Sequence, residues 1–345
     1  MKARSPLLWL IPGSVLLTLG AAVWTLGTAR SERDRAIIGD GHNVASYGFN
    51  LVNLTVPRNL LVASGLPRDG VEALDGPRMV SAAQLDGLKA GRHGKLLVPD
   101  DRVVGLEIDG DARAYPLRFL QWHEIVNDTV GSEPVAVTYS PLCDSVVVAS
   151  REIGGATARF GHSGLLYESN LVMYDRTGAV PGLWSQLMAR AISGREAGAE
   201  LKLLPFSLTT WSAWRHLHPA TRVMAPQPQL AREYKRDPYS SYFGSDILRF
   251  PVSPKPPSHR LHLKDRVVVA TAGGHTEAFA LPDLARDARA ESGTVEREIG
   301  DVPVRITFDN VLGTASVASL DPQHPVQSVR TSFWFAWYAS GPGSR

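Results

Sequence analysis

Two apolar, β-favouring runs flank the polar pair Asp109-Gly110 in "DRVVGLEIDGDARAYPL", Asp101 to Leu117. An Asp-Gly pair supplies the positive φ angles of a tight turn, so the stretch predicts a β-hairpin. The pattern returns as "DRVVVATAGGHTEAFAL", Asp265 to Leu281, where residues 265, 266, 267, 268, 274, 278 and 281 are identical to residues 101, 102, 103, 104, 110, 114 and 117. Downstream, "VGSEPVAVTYS" from Val130 aligns with "IGDVPVRITFD" from Ile299. The pairing predicts an internal duplication, with two related β-rich lobes about a pseudo-twofold axis rather than a solenoid of many short units.

Helical periodicity is confined to two places. Leu183, Leu187 and Ile192 in "PGLWSQLMARAI", Pro181 to Ile192, predict one helix, and "SLTTWSAWRHLHP", Ser207 to Pro219, predicts another that stops at its proline. Trp184, Trp211 and Trp214 are expected to pack the core. Before the first hairpin the chain is broken by Gly and Pro and reads as an ordered lead-in that wraps the body. Between the lobes, eight prolines from Pro219 to Pro257 predict an extended crossing. The expected class is therefore α+β and predominantly β. The expected divisions are 1–30 (anchor or signal segment), 31–97 (lead-in), 98–220 (first lobe with helices), 221–262 (crossing) and 263–345 (second lobe).

The apolar run at the N-terminus changes the picture of location. Lys2 and Arg4 precede an uncharged stretch from Leu7 to Ala29, as long as the roughly 20 residues that cross a bilayer as a helix. It predicts a transmembrane anchor that holds the globular part outside the cytoplasm, at the inner membrane. A cleaved signal ending at Gly27-Thr28-Ala29 is the rival, and it would make the protein secreted. Arg30, Arg33 and Arg35 follow the run, so charge alone does not orient it. With Lys+Arg 36 against Asp+Glu 34 and no dense basic stripe, a nucleic-acid partner is not expected. The membrane, a small molecule or a metal ion are the expected partners.

Candidate chemistry gathers in the first lobe. Cys143 is the only cysteine, so the fold carries no internal disulfide. It sits in "TYSPLCDSVVV", where Ser140-Pro141 reads as the cap and first turn of a short helix that would favour a thiolate. The second copy has Asp309-Asn310-Val311-Leu312-Gly313 at that place, and it lacks the histidine of "LQWHEIVNDTVG" as well. Residues held by one copy alone are candidates for function. Cys143 with His123 and His162 suits copper, or zinc with an open position. Alternatively Cys143 is a nucleophile served by His123, with Glu124 orienting the ring and Asp175 in a cleft. A third reading is a non-catalytic binding module with its cleft between the lobes. Walker, dinucleotide-fingerprint, nucleophile-elbow and HExxH motifs are absent from the sequence.

Together "ARAYPL", "WHEIVNDTVG", "VAVTYSPLCDS", "GHSGLLYESNLVMYDR", "LWSQ" and "TTWSAW" resemble the DUF3179 family, from about Val44 to Trp337. The resemblance implies an exported or membrane-attached prokaryotic protein without an established activity. The family commonly carries Cys-Pro-Leu-Cys where this chain has Ser140-Pro141-Leu142-Cys143. That replacement removes an internal dithiol and one ligand of any two-thiolate metal site.

Overall fold

The computed structural model describes residues 37–88, 95–178, 180–257 and 259–341. The segment from Leu7 to Ala29 lies outside them. Among the described residues no helix is long and apolar enough to cross a membrane.

The predicted hairpin forms from β1 (Arg102–Ile108) and β2 (Asp111–Pro116). Asp109 and Gly110 take φ of 53° and 77° at its turn, the left-handed geometry that the Asp-Gly pair supplies. A one-turn helix α1 (Leu117–Leu120) leads into the antiparallel meander β3 (Ile125–Val130), β4 (Glu133–Ser140) and β5 (Ser145–Ser150). Next come β6 (Phe160–Tyr167), β7 (Asn170–Asp175), β8 (Ser207–Thr210) and α2 (Trp211–Leu217). The same order then recurs as β9 (Arg266–Ala272), β10 (His275–Ala280), α3 (Leu281–Ala288), β11 (Ser292–Ile299), β12 (Val302–Asp309) and β13 (Thr314–Ser319). The chain ends in β14 (Ser328–Phe333) and α4 (Trp334–Ser340).

Each hairpin joins the other meander. β1 and β2 share an eight-stranded sheet with β11, β12 and β13, bridged by β8, while β9 and β10 share a seven-stranded sheet with β3, β4 and β5, bridged by β14. Both sheets thus contain strands from both halves of the chain. A third sheet of five strands is built on β6 and β7. The lead-in supplies one edge strand to each: Leu61–Ala63 to the five-stranded sheet, Leu74–Asp75 to the seven-stranded one and Met79–Ser81 to the eight-stranded one.

Side-chain alternation follows from this layering. On β12 the buried residues Val302, Val304, Ile306 and Phe308 alternate with Pro303, Arg305 and Thr307 on the solvent side. By contrast β5 is buried along its whole length. Its Val146 and Val148 face the core shared with the eight-stranded sheet, and Val147 and Ala149 face a second core shared with the five-stranded sheet. The seven-stranded sheet is therefore the middle layer. A Cβ on Gly105 would stand 2.3 Å from the Trp214 ring, so glycine is what lets α2 sit down on β1. Trp184, Trp211 and Trp214 are all buried, as expected.

The predicted helix Pro181–Ile192 does not form. Leu183–Ser185 and Arg190–Ala191 are short paired strands joined by a turn in which Ala189 has φ of 52°. Leu183, Leu187 and Ile192 are buried in that arrangement as they would be on a helix, which is why apolar spacing alone misread it. The second predicted helix is shorter than expected, with Ser207–Thr210 in a strand and only Trp211–Leu217 helical. The proline-rich crossing makes short helical turns at Pro228–Leu230, Glu233–Lys235 and Ser240–Phe243 and folds back over the first half of the chain. Tyr242 OH donates to the Leu142 carbonyl at 2.9 Å, and Ser169 Oγ donates to the Phe250 carbonyl at 2.9 Å.

Candidate functional site

The turn between β4 and β5 is a single 3-10 turn, Pro141–Cys143, closed by Asp144 with φ of 42°. Ser140 does not cap it; its Oγ accepts from the Leu171 amide at 3.2 Å instead. Cys143 is fully buried, and its Sγ donates to the Ser169 carbonyl at 3.3 Å. Burial pushes the thiol well above its ordinary range, and a contact with Asn170 offsets this only in part. The expected thiolate is therefore corrected: a three-residue turn supplies too little field to offset complete desolvation. At pH 7 iodoacetamide should alkylate Cys143 in the folded protein at less than about one-hundredth of its rate in the unfolded chain. Comparable rates in a stopped-time mass-spectrometric assay would contradict the neutral, buried thiol.

His123 follows α1 and is also buried. Its Nδ1 lies 3.0 Å from the Glu72 carbonyl and must donate to it, which leaves Nε2 to accept from Tyr234 OH at 2.7 Å. Desolvation lowers its pKa, with the Glu72 contacts opposing. Both ring nitrogens are thus engaged, and no lone pair is left for a metal or a thiol proton. Asp175 has a local role, its Oδ1 accepting from the Thr177 amide at 2.8 Å and hydroxyl at 2.6 Å. Among the described residues no group of three His, Cys, Asp or Glu side chains is disposed to hold a metal ion. The expected ligand set of Cys143, His123 and His162 is not assembled, because each member is committed to a different neighbour.

The pair that does meet is Glu124 and His162. A bulge in β6 between His162 and Leu165 turns the imidazole inward. Gly164 makes that bulge with φ of 80°, and a Cβ there would lie 2.3 Å from Tyr47 and 2.8 Å from the Leu66 carbonyl. The Gly164 amide donates to His162 Nδ1 at 3.1 Å, which puts the ring proton on Nε2. Nε2 faces Glu124 Oε2 at 3.4 Å. Glu124 itself has φ of 56°, an unfavourable conformation for a residue with a side chain, and is held there by its own amide on the Leu120 carbonyl at 2.7 Å and by the Tyr139 amide on its carbonyl at 2.8 Å.

Of the four buried carboxylates, two are held by arginine and tyrosine side chains and Glu124 is not. Asp128 accepts from Arg113 and from Tyr115 OH, each at 2.7 Å. Asp144 accepts from the Arg102 fork at 2.9 and 2.9 Å, from Arg266 Nε at 2.6 Å and from Tyr139 OH at 2.8 Å. Glu168 accepts from the Ser253 amide at 2.7 Å. Among the described residues Glu124 has only the imidazole at 3.4 Å, and its side chain keeps 10% of its surface open.

A buried polar network ties the neighbouring strands together. Asn170 Nδ2 donates to Ser145 Oγ at 2.9 Å and to Gln186 Oε1 at 3.0 Å, and Gln186 Nε2 donates to Thr138 Oγ1 at 3.1 Å. These bonds pin β4, β5 and β7 together at the turn. The Arg102–Asp144–Arg266 cluster was missed in the sequence, although Arg102 and Arg266 occupy matched places in the two hairpin stretches.

A β-rich architecture of three large sheets and a small two-stranded one among the described residues, with a buried Glu–His pair, defines the class of protein. The chain matches the family described as protein of unknown function DUF3179 over residues 68–344, and it belongs to that family. No curated protein and no solved structure matches it.

Proposed function

We propose that this protein is a membrane-tethered, extracytoplasmic binding protein whose ligand docks on Glu124. The observation that carries the reading is geometric: Glu124 is buried and strained and faces only the His162 imidazole at 3.4 Å among the described residues, whereas the buried Asp128 and Asp144 are each held by arginine and tyrosine. Nature of the ligand follows from the acceptor. A carboxylate backed by a neutral imidazole N–H recognises a small molecule that is positively charged or donates hydrogen bonds, such as an amine, amidine or primary amide. The uncharged run from Leu7 to Ala29 supports the tether and the export. We read the recurring β–β–α–β–β–β order as the mark of a duplication, in which the first copy alone acquired the glutamate, the histidines and the cysteine. Cys143 then serves as a small buried side chain packing the floor of the site.

A panel of small amines, amidines and primary amides, screened by thermal shift against the full-length protein and Glu124→Gln, tests this. Compounds that raise the midpoint of the wild type and not of the variant are expected. If every stabilising compound acts equally on both proteins, or none acts at all, Glu124 is not the docking group.

A further inference from the structure

A cavity lined in part by charged residues contains neither Glu124 nor His162 in its wall. It has a volume of about 360 Å³ and is lined by Met188, Arg190, Leu201, Leu203, Arg330 and Ser340 among others, within the size range of small-ligand sites. Arg330 comes from β14, where it pairs with Val269 on β9 and Val147 on β5. Its guanidinium lies over the Trp337 ring at 4.8 Å and donates once, from Nη1 to the Leu187 carbonyl at 3.3 Å. No carboxylate of the described residues pairs with it, although the arginines around Asp144, Asp111 and Asp128 all have one. Ser340 Oγ is buried in the same wall with no hydrogen-bond partner among the described residues. At the rim Arg190 and Glu200 neutralise each other at 3.0 Å, so they add little net field.

We infer that this cavity binds a small carboxylate with a short aliphatic tail. Nε and Nη2 of Arg330, which make no hydrogen bond among the described residues, take the two carboxylate oxygens, Ser340 Oγ offers a further donor, and Met188, Leu201 and Leu203 cover the tail. Desolvation holds the guanidinium down at about 10, with the Glu200 charge opposing, so it stays protonated at neutral pH and gains from an anion. An unpaired arginine in a half-enclosed apolar setting is costly to keep without a partner, and a carboxylate matches its planar fork.

Calorimetric titration of the full-length protein with hexanoate and with hexanamide, which differ mainly in charge, tests the assignment. Hexanoate should bind with a Kd below about 1 mM and roughly tenfold or more tighter than hexanamide. Arg330→Gln should erase the difference and Arg330→Lys should retain part of it. If Arg330→Gln does not fold, Met188→Trp, which fills the cavity from its apolar side, should weaken hexanoate by a similar factor. Equal affinity for the two compounds, no hexanoate binding, or undiminished binding in these variants overturns the assignment.

Discussion

Replacing Asp144 by Asn is expected to lower the unfolding free energy by about 3–5 kcal/mol, the usual cost of removing one partner from a buried charge cluster. The carboxylate is buried at the junction of the two hairpins, where Arg102 comes from β1 and Arg266 from β9. Without its charge two guanidinium groups face each other in the same recess, and Arg102 is left with the Gly313 carbonyl at 3.3 Å. Urea denaturation followed by circular dichroism measures the loss. A loss of less than about 1 kcal/mol would show that the cluster is solvated and weak.

The same cluster sets the acid limit of the fold. Burial by itself would raise the Asp144 pKa, but Arg102 and Arg266 outweigh it and hold the carboxyl well below the usual range. At Asp111 burial is likewise outweighed, there by Arg113, Arg222 and the Gly131 amide, and the group is held at about 2. A carboxylate whose folded pKa is depressed contributes stability that is complete above its unfolded value of about 3.9 and is lost as pH falls below it. His123, also depressed but neutral when folded, begins to cost stability as pH falls below about 6.5. Wild-type stability should therefore decline gently below about pH 6.5 and steeply below about pH 4, and Asp144→Asn should flatten the steep limb by up to about 1.4 kcal/mol per pH unit.

The parts of the fold legible in sequence are those written in short, local patterns. Asp109-Gly110 announced its turn, and both residues take the positive φ that the pair supplies. The pairing of strands was not legible. Apolar alternation tells which face of β12 is buried but not that its sheet is shared with β1, because partner choice is settled by long-range packing. The span Pro181–Ile192 fitted helical spacing and still folded as strands, because complete burial makes both patterns alike. At the site, Glu124 and His162 were each visible, but not that the bulge at Gly164 turns one toward the other. Cys143 drew attention by its rarity. Nothing local in its sequence announces that Ser140 turns away to Leu171 and leaves the thiol desolvated.

The central claim is that Glu124 is kept for a ligand and at the expense of the fold. The Glu124→Gln side chain has the same shape, accepts from His162 Nε2–H through its oxygen and sheds the desolvation of an unpaired charge. Its effect should therefore be opposite in sign to that of Asp144→Asn, a gain of about 1–2 kcal/mol with the fold unchanged. Paired urea titrations of the wild type and Glu124→Gln, at neutral pH without added ligand, measure this directly. A gain in stability is the predicted result, whereas a loss of about 1 kcal/mol or more would make Glu124 a structural member of its pair with His162 and contradict the account.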